Sequence, residues 1–369
     1  MRIHILGTRG FPSSYGGFET LLRHLAPDLV RRGHQVTVFD REPVQPGNGR
    51  VRMIDGVRVY SSLGLNGTTS STLSHGLTSS LITARERPHV ALVMNVANGF
   101  FLPALRARQV PVVLNVDGIE WERDKWSPLG KRVFRAAAAA TARWADSLIA
   151  DSEAIGERWI SEFDRDSEFV PYGGDVPDGA PGPDRVRELG LTPGGYALIV
   201  ARLVPENNVS TMLDAAKRTG APVVVVGSAA GSELEQRIRA QHNPPQVHAL
   251  GHVSDQELLS ALWAHCGVYL HGHSVGGTNP ALVQAMGLGA PVLALDTVYN
   301  REVLANDDML VPLEPEVIAR RAVELLGSPH RRDDAVRWGH QRVAEVYNWD
   351  AVCEGYEAVL RKAARTDED

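Results

Sequence analysis

Apolar positions along the 369-residue chain fall into short runs separated by stretches of helical periodicity. Residues 3–6 form an apolar run that breaks at Gly7-Thr-Arg-Gly10. From about 17 to 32, Leu21, Leu22, Leu25, Leu29 and Val30 recur on one face of a helix, which Gly33 and His34 end. A second strand follows at 36–39. Strand, glycine turn, helix and strand make a βαβ unit, and that unit requires a parallel sheet. The pattern predicts further strands at 57–60, 90–94, 112–116, 147–150 and 168–170, and a helix over 135–144, where five alanines stand in a row. Residues 173–195 are dense in Gly and Pro and read as a linker. The alternation then restarts with a strand at 196–200, a helix at 210–217, a strand at 222–226 and buried strands at 268–270 and 292–295. Near the end, Trp349, Val352, Tyr356, Val359 and Leu360 recur at helical spacing, and residues 366–369 read as a frayed tail. The chain is therefore expected to be α/β, with two doubly wound parallel-sheet domains. The boundaries are 1–172, a linker at 173–195, 196–348, and a final helical segment at 349–369 that packs back on the first domain. Such sheets bind ligands beyond the carboxyl ends of their strands, and two facing sheets would enclose a cleft.

Composition narrows the function classes. Hydrophobic residues make up 43% and charged residues 22%, ordinary for a globular protein. The net charge of −6 argues against a nucleic-acid partner. That total conceals an asymmetry. Residues 1–172 hold 21 basic and 18 acidic side chains, and residues 173–369 hold 17 and 26. The two cysteines, Cys266 and Cys353, exclude a disulfide framework and fit a reducing cytoplasm. The opening residues are too quickly interrupted for a signal peptide, and no apolar run approaches the roughly 18 residues of a membrane span. A cytoplasmic protein is expected.

Four segments carry candidate chemistry. Gly7 to Gly17 lies between the first strand and the first helix, where backbone N–H groups and the helix dipole attract anions. It matches neither the dinucleotide fingerprint nor the P-loop, and a glycine-dependent surface turn is the plain alternative. Asp117 follows the strand at 112–116 and stands among Glu120, Trp121, Arg123, Lys125 and Trp126. A carboxylate at a strand end suits catalysis, and the tryptophans could stack on sugar faces; the alternative is a solvated helix start with core tryptophans. Arg202 follows the first strand of the second half and has a fork suited to phosphate oxygens, unless it pairs with Glu206. Gly276, Gly277, Thr278 and Asn279 precede Pro280 and a helix, with Thr278 or Asn279 as N-cap, which makes a second anion site. His271 and His273 lack the companions of a metal site and read as loop or substrate-bonding groups. Together these features point to a diphosphate-bearing ligand.

Five segments in order resemble glycosyltransferase family 4, a retaining family with the two-domain GT-B fold. They are Leu-Gly-Thr-Arg-Gly-Phe-Pro-x-x-Tyr-Gly-Gly-Phe-Glu ending at Glu19, Val-Asp-Gly-Ile-Glu-Trp ending at Trp121, Val-Pro-Tyr-Gly-Gly-Asp ending at Asp175, Ala-Arg-Leu-Val-Pro-Glu-Asn-Asn ending at Asn208, and His-Gly-His-x-Val-Gly-Gly-Thr-Asn-Pro ending at Pro280. They look most like a bacterial rhamnosyltransferase subgroup of capsule and exopolysaccharide synthesis. The resemblance implies transfer of a sugar from a dTDP- or UDP-linked donor, with retention and with neither cofactor nor metal. By position, Gly16 and Gly17 would approach the donor phosphates, and Arg202 would clamp the diphosphate. Gly276, Gly277, Thr278 and Asn279 would offer N–H groups to sugar and phosphate. Position 284 would bond the ribose, and the turn at 251–253, with Val253, would hold the base. Asp117 stands where many relatives place a histidine near the transferred sugar.

The departures from the family are definite. Its two glutamates, eight positions apart, are replaced by Gly276 and Gln284, and its phosphate-binding lysine by Asn207. A glutamine still accepts from ribose hydroxyls but gives up the charge-assisted bond. Three readings stay open: an active retaining transferase, a non-catalytic nucleotide-sugar-binding module, and a GT-B-like nucleotide-sugar epimerase. A nicotinamide oxidoreductase is remote, because its fingerprint is absent. The acceptor would be a saccharide or a polyprenyl-diphosphate-linked saccharide, contacted by Trp121, Arg123 and Lys125. Arg123, Lys125, Lys131, Arg132 and Arg135, with Trp126 and Phe134, form a basic, apolar-interleaved stretch. It reads equally as a solvated helix face or as a contact with anionic lipid at the inner face of the plasma membrane.

Overall fold

The computed structural model describes residues 1–12, 16–41, 50–64, 68–123, 126–177, 179, 181–229 and 231–365. Lys125 and the tail at 366–369 fall outside this set. The chain divides into two units, Met1–Tyr172 with Trp349–Asp369, and Gly173–Asn348.

In the first unit the strands are β1 (Arg2–Leu6), β2 (Gln35–Asp40), β3 (Val51–Ile54), β4 (Val57–Ser61), β5 (Val90–Met94), β6 (Val112–Asn115), β7 (Ser147–Ala150) and β8 (Glu168–Phe169). They form one sheet in the order β3-β4-β2-β1-β5-β6-β7-β8, parallel except for the β3–β4 pair. β1 pairs with β2 on one side (Ile3 with Val36) and with β5 on the other (Ile3 with Val90). Because side chains alternate along a strand, Ile3 and Ile5 point to one face and His4 to the other. On the first face, helix Gly17–Arg31 buries Leu21, Leu22, Leu25, Ala26 and Leu29 in a core shared with Val352, Tyr356 and Leu360 of helix Trp349–Ala364. The C-terminal helix is tied there by more than apolar contact. Glu357 accepts from Arg32 at 3.2 Å and meets His34 Nε2 at 2.7 Å, and the Trp349 ring stacks on His24 at 3.9 Å.

The second unit has β9 (Ala197–Val200), β10 (Val223–Val226), β11 (Val247–Gly251), β12 (Val268–His271), β13 (Val292–Leu295) and β14 (Leu310–Val311). All pair in parallel in the order β11-β10-β9-β12-β13-β14. Runs such as Val223–Val226 are wholly apolar because helices cover both faces of such a sheet.

Two expectations change. The stretch 173–195 is more than a connection. It belongs to the second unit, contains helix Asp184–Arg187, and buries Val186 and Leu191 in that unit's core. Gly174 lies against Val283, where an added Cβ would sit 2.8 Å from a side-chain carbon, so its glycine serves close packing. The charge asymmetry also shrinks. With residues 349–369 counted in the first unit, that unit holds 24 basic and 24 acidic side chains, and the second holds 14 and 20. All of the net −6 then belongs to the second unit.

Candidate functional site

In each unit the strand order reverses next to the first strand, and ligands of such sheets bind at the carboxyl ends of the strands flanking that point. In the second unit the reversal lies between β9 and β12. The loops that leave these strands are stitched together. Ser274 donates to the Glu206 carbonyl through its N–H at 3.0 Å and its hydroxyl at 2.8 Å, and Asn208 Nδ2 donates to the Gly272 carbonyl at 2.9 Å. Gly272 admits no side chain, since a Cβ would stand 2.5 Å from the Asn207 carbonyl oxygen. On this platform Arg202 is exposed, and its guanidinium has no hydrogen-bond or ion-pair partner among the described residues. The ion pair with Glu206 does not form. Asn207 is buried and turns inward, and its Nδ2 donates to the Arg202 carbonyl at 2.8 Å. It thereby braces the loop that presents the arginine.

The loop after β12 carries Gly276 with φ of +111°, then Gly277 and buried Thr278. Asn279 is the N-cap of helix Pro280–Gly287, and its Oδ1 accepts from the Ala281 N–H at 3.0 Å. Gln284, in the next turn, accepts from the Asp175 N–H at 3.3 Å. Val253 is half-buried against the core after β11. The Gly251 carbonyl there accepts from Gly227 N–H at 2.8 Å, and a Cβ on Gly227 would meet the Ala201 carbonyl at 1.8 Å. A continuous rim of loops thus follows the carboxyl ends of β9, β10 and β11.

His271 and His273 stack at 4.2 Å, and Tyr269 OH lies 3.0 Å from His271 Nδ1. Burial, and then its neighbour His273, hold His271 well below the ordinary histidine range, so its ring is neutral. Among the described residues no group of three or more His, Cys, Asp or Glu side chains could hold a metal ion. Glu206 escaped the sequence reading as a site residue. Its carboxylate is buried, and neither oxygen has a hydrogen-bond partner among the described residues. An unpartnered buried carboxylate is costly, which makes Glu206 a candidate site residue.

In the first unit the reversal lies between β1 and β5. The turn after β1 is pressed against the end of β5, since a Cβ on Gly7 would lie 2.2 Å from the Met94 carbonyl. Glu19, buried in the first turn of helix Gly17–Arg31, accepts from the Arg9 N–H at 2.9 Å. Gly16, with φ of +127°, lies over that carboxylate, where a Cβ would stand 2.0 Å from Oε2. Gly16 and Gly17 therefore begin a helix with no side-chain cap.

Beside this turn, two non-glycine residues at neighbouring strand ends adopt left-handed backbone, Asn95 after β5 (φ +70°) and Asp117 after β6 (φ +57°). Such strain persists where surrounding structure over-determines it, often at functional positions. Here the surroundings are visible. Asn115 accepts from the Asp117 N–H at 2.8 Å, and its amide donates to the Tyr356 hydroxyl at 2.5 Å. Asn95 Nδ2 reaches Asp117 Oδ2 at 3.4 Å. The C-terminal helix thus anchors the Asp117 turn through one buried amide. Asn95, Asn115 and Tyr356 were not legible as site residues, because isolated amides and a lone tyrosine on an apolar helix face carry no sequence motif.

The remaining sequence candidates lie elsewhere in the first unit. Glu120 is buried and its carboxylate is occupied, at 2.7 Å from Arg123 Nε and 2.9 Å from the donating Trp126 Nε1. Trp121 is buried edge-on against Trp159 and Phe163, with no face open to a sugar. Arg123 is buried beside Glu120. Local packing and one ion pair absorb these three side chains.

Comparison with known proteins agrees with this architecture. Residues 16–173 match the family described as glycosyl transferase 4-like domain, and residues 187–342 match glycosyl transferases group 1. Among curated protein sequences none matches the chain. Among solved structures, sucrose-phosphate synthase from Thermosynechococcus elongatus superposes with a TM-score of 0.82 at 16% identity, over 99% of this chain and 100% of that one. HepE of Anabaena in complex with UDP-glucose gives 0.76 at 17% identity, over 98% and 100%. An α,α-trehalose-phosphate synthase from Burkholderia vietnamiensis gives 0.69 at 15% identity, over 98% and 100%. With one family match on each unit and strand-end sites in both, the chain is a glycosyltransferase of the GT-B fold.

Proposed function

We propose that this glycosyltransferase moves a sugar, rhamnose by the motif resemblance, from a dTDP- or UDP-linked donor to a saccharide or polyprenyl-diphosphate-linked saccharide. The transfer retains anomeric configuration, needs neither metal nor cofactor, and serves cell-surface polysaccharide synthesis at the inner face of the plasma membrane. The observation that carries the reading is Arg202, an exposed cation at the strand reversal of the second unit whose guanidinium has no partner among the described residues. It stands on a loop stitched to the one that starts helix Pro280–Gly287. Arg202 and the N–H groups at the helix start supply fixed positive charge where a departing diphosphate develops its own. Gln284 takes the ribose, and Val253 lies beside the base. The UDP-glucose bound by the structurally similar HepE supports a nucleotide-sugar donor. Asp117 positions the transferred sugar or assists proton transfer, and the motif resemblance gives Gly16 and Gly17 a part in donor binding.

Incubation with a panel of dTDP- and UDP-sugars and lipid-linked acceptors should release nucleoside diphosphate. Arg202→Ala should lower kcat/KM by about a hundredfold, the scale of a lost charge-assisted contact. Asp117→Asn should fold normally, because asparagine tolerates left-handed backbone, and should bind donor yet turn over poorly. Donor binding without turnover in the unmodified protein would favour a non-catalytic module. Isomerised sugar without acceptor would favour an epimerase.

A further inference from the structure

Helix Thr68–Glu86 is built inside out. Its sheet-facing side holds His75, Ser79, Ser80 and Thr83, all buried, and these side chains or their neighbours bond to the sheet and its loops. His75 Nδ1 lies 2.8 Å from Ser62 Oγ, His4 Nδ1 lies 3.1 Å from Thr83 Oγ1, and Arg41 donates to Thr72 Oγ1 at 3.0 Å. Its solvent ridge is Leu73, Leu77 and Leu81, exposed by 36%, 44% and 53%. A surface helix ordinarily shows the opposite arrangement. Residues 68–84 include no Lys, Arg, Asp or Glu. Leu63, itself exposed, adjoins the ridge, because Thr78 Oγ1 donates to its carbonyl at 2.6 Å.

The neighbouring elements extend this surface. Turn Val96–Phe101 packs against this helix and against helix Pro128–Trp144. Gly76 accommodates the Phe101 ring, and Gly99 approaches the Ala137 carbonyl. Phe100, Leu129 and Val133 are exposed on these two elements. Between Trp126 and Ala145 there is no acidic residue, while Arg132, Arg135 and Arg143 are exposed. Arg132 has no hydrogen-bond or ion-pair partner among the described residues.

From this juxtaposition we infer that the layer formed by helix Thr68–Glu86, turn Val96–Phe101 and helix Pro128–Trp144 docks on a bilayer containing anionic lipid. The leucine ridge enters the acyl boundary, and Arg132 and Arg135 meet the headgroups. Charge complementarity selects this occupant. An uncharged apolar ridge beside exposed Arg132, which has no partner among the described residues, and Arg135, which stays 63% exposed while it pairs with Glu162 at 3.5 Å, matches an apolar phase under a negative surface. The inference rests on the reading that the acceptor is membrane-borne, and it assigns the leucine ridge, rather than the basic stretch alone, as the inserting element.

The test is co-sedimentation of the full chain with vesicles of phosphatidylglycerol and phosphatidylcholine, or of phosphatidylcholine alone, beside light scattering without lipid. Wild type should bind the anionic vesicles and release them as salt rises. Leu73→Ser/Leu77→Ser/Leu81→Ser should weaken binding about tenfold or more, and Arg132→Glu/Arg135→Glu should remove the preference for anionic vesicles. Both variants should retain donor turnover with a water-soluble acceptor. That turnover separates the docking surface from the transferase reading: vesicle binding can fail while turnover persists, and the reverse. Undiminished binding of the leucine variant overturns the proposal. So does a wild type that ignores vesicles, or one that forms a dimer abolished by the leucine substitutions, which would make the ridge a copy-to-copy interface.

Discussion

Helices Gly17–Arg31 and Thr68–Glu86 belong to the same sheet and obey opposite rules. The first buries Leu21, Leu22, Leu25 and Leu29 and is held by apolar area. The second turns its leucines outward and is held by hydrogen bonds from His4, Arg41 and Ser62. Apolar burial is favourable at about 25 cal/mol per Å², whereas a net hydrogen bond contributes only about 1 kcal/mol. The second helix is therefore the more weakly fastened, and its leucines are available for other work.

Substitutions can break this contrast at several depths. Leu25→Ala should destabilise the first unit most, by about 2–5 kcal/mol in urea unfolding, because it opens a cavity in the core. Next comes pH. Burial holds His4 down at about 4, against the opposing pull of Glu86. The unfolded chain takes up that proton as pH falls below about 6.5, and the folded chain does not until about 4. Stability should thus be full above pH 6.5 and decline by about 3 kcal/mol by pH 4. His75, lowered by burial and by Arg41, adds in the same direction. His4→Gln should flatten the slope, and an unchanged slope would remove His4 as its source. Thr83→Val, which deprives His4 of its partner, should cost about 1–2 kcal/mol at neutral pH. The smallest effect belongs to Leu77→Ala, within about 0.5 kcal/mol of wild type without lipid. A loss as large as that of Leu25→Ala would mean that the two helices are alike after all.

The two strand-end sites offer a second contrast. In the second unit the candidate groups are glycines and an arginine that has no side-chain partner among the described residues, and both could be picked out in sequence because a helix start after Gly-Gly-Thr-Asn and an arginine after a strand carry their chemistry in order. In the first unit, Asp117 was legible from its place after an apolar strand. The residues that hold it were not. Asn95, Asn115 and Tyr356 meet there only because β5, β6 and the C-terminal helix are neighbours in space. Glu120, Trp121 and Arg123 looked as chemical as Asp117 in sequence, yet they are packed against one another and against Trp159 and Phe163.

By itself the sequence determined the alternation of strands and helices, the parallel sheets, the second start near residue 196 and the helix-start motifs. Each depends on the period of side-chain direction or on local backbone geometry, and a few consecutive residues suffice to encode it. Tertiary structure alone decided the rest. It drew the stretch 173–195, which read as a linker, into the second unit and buried Val186 and Leu191 in that unit's core. It left Glu206 buried without a hydrogen-bond partner among the described residues, and it turned the leucines of helix Thr68–Glu86 outward. Periodicity marks which residues share a face, but which face is buried depends on what the sheet presents beneath it. Here it presents His4, Arg41 and Ser62, which favour serine, threonine and histidine over leucine.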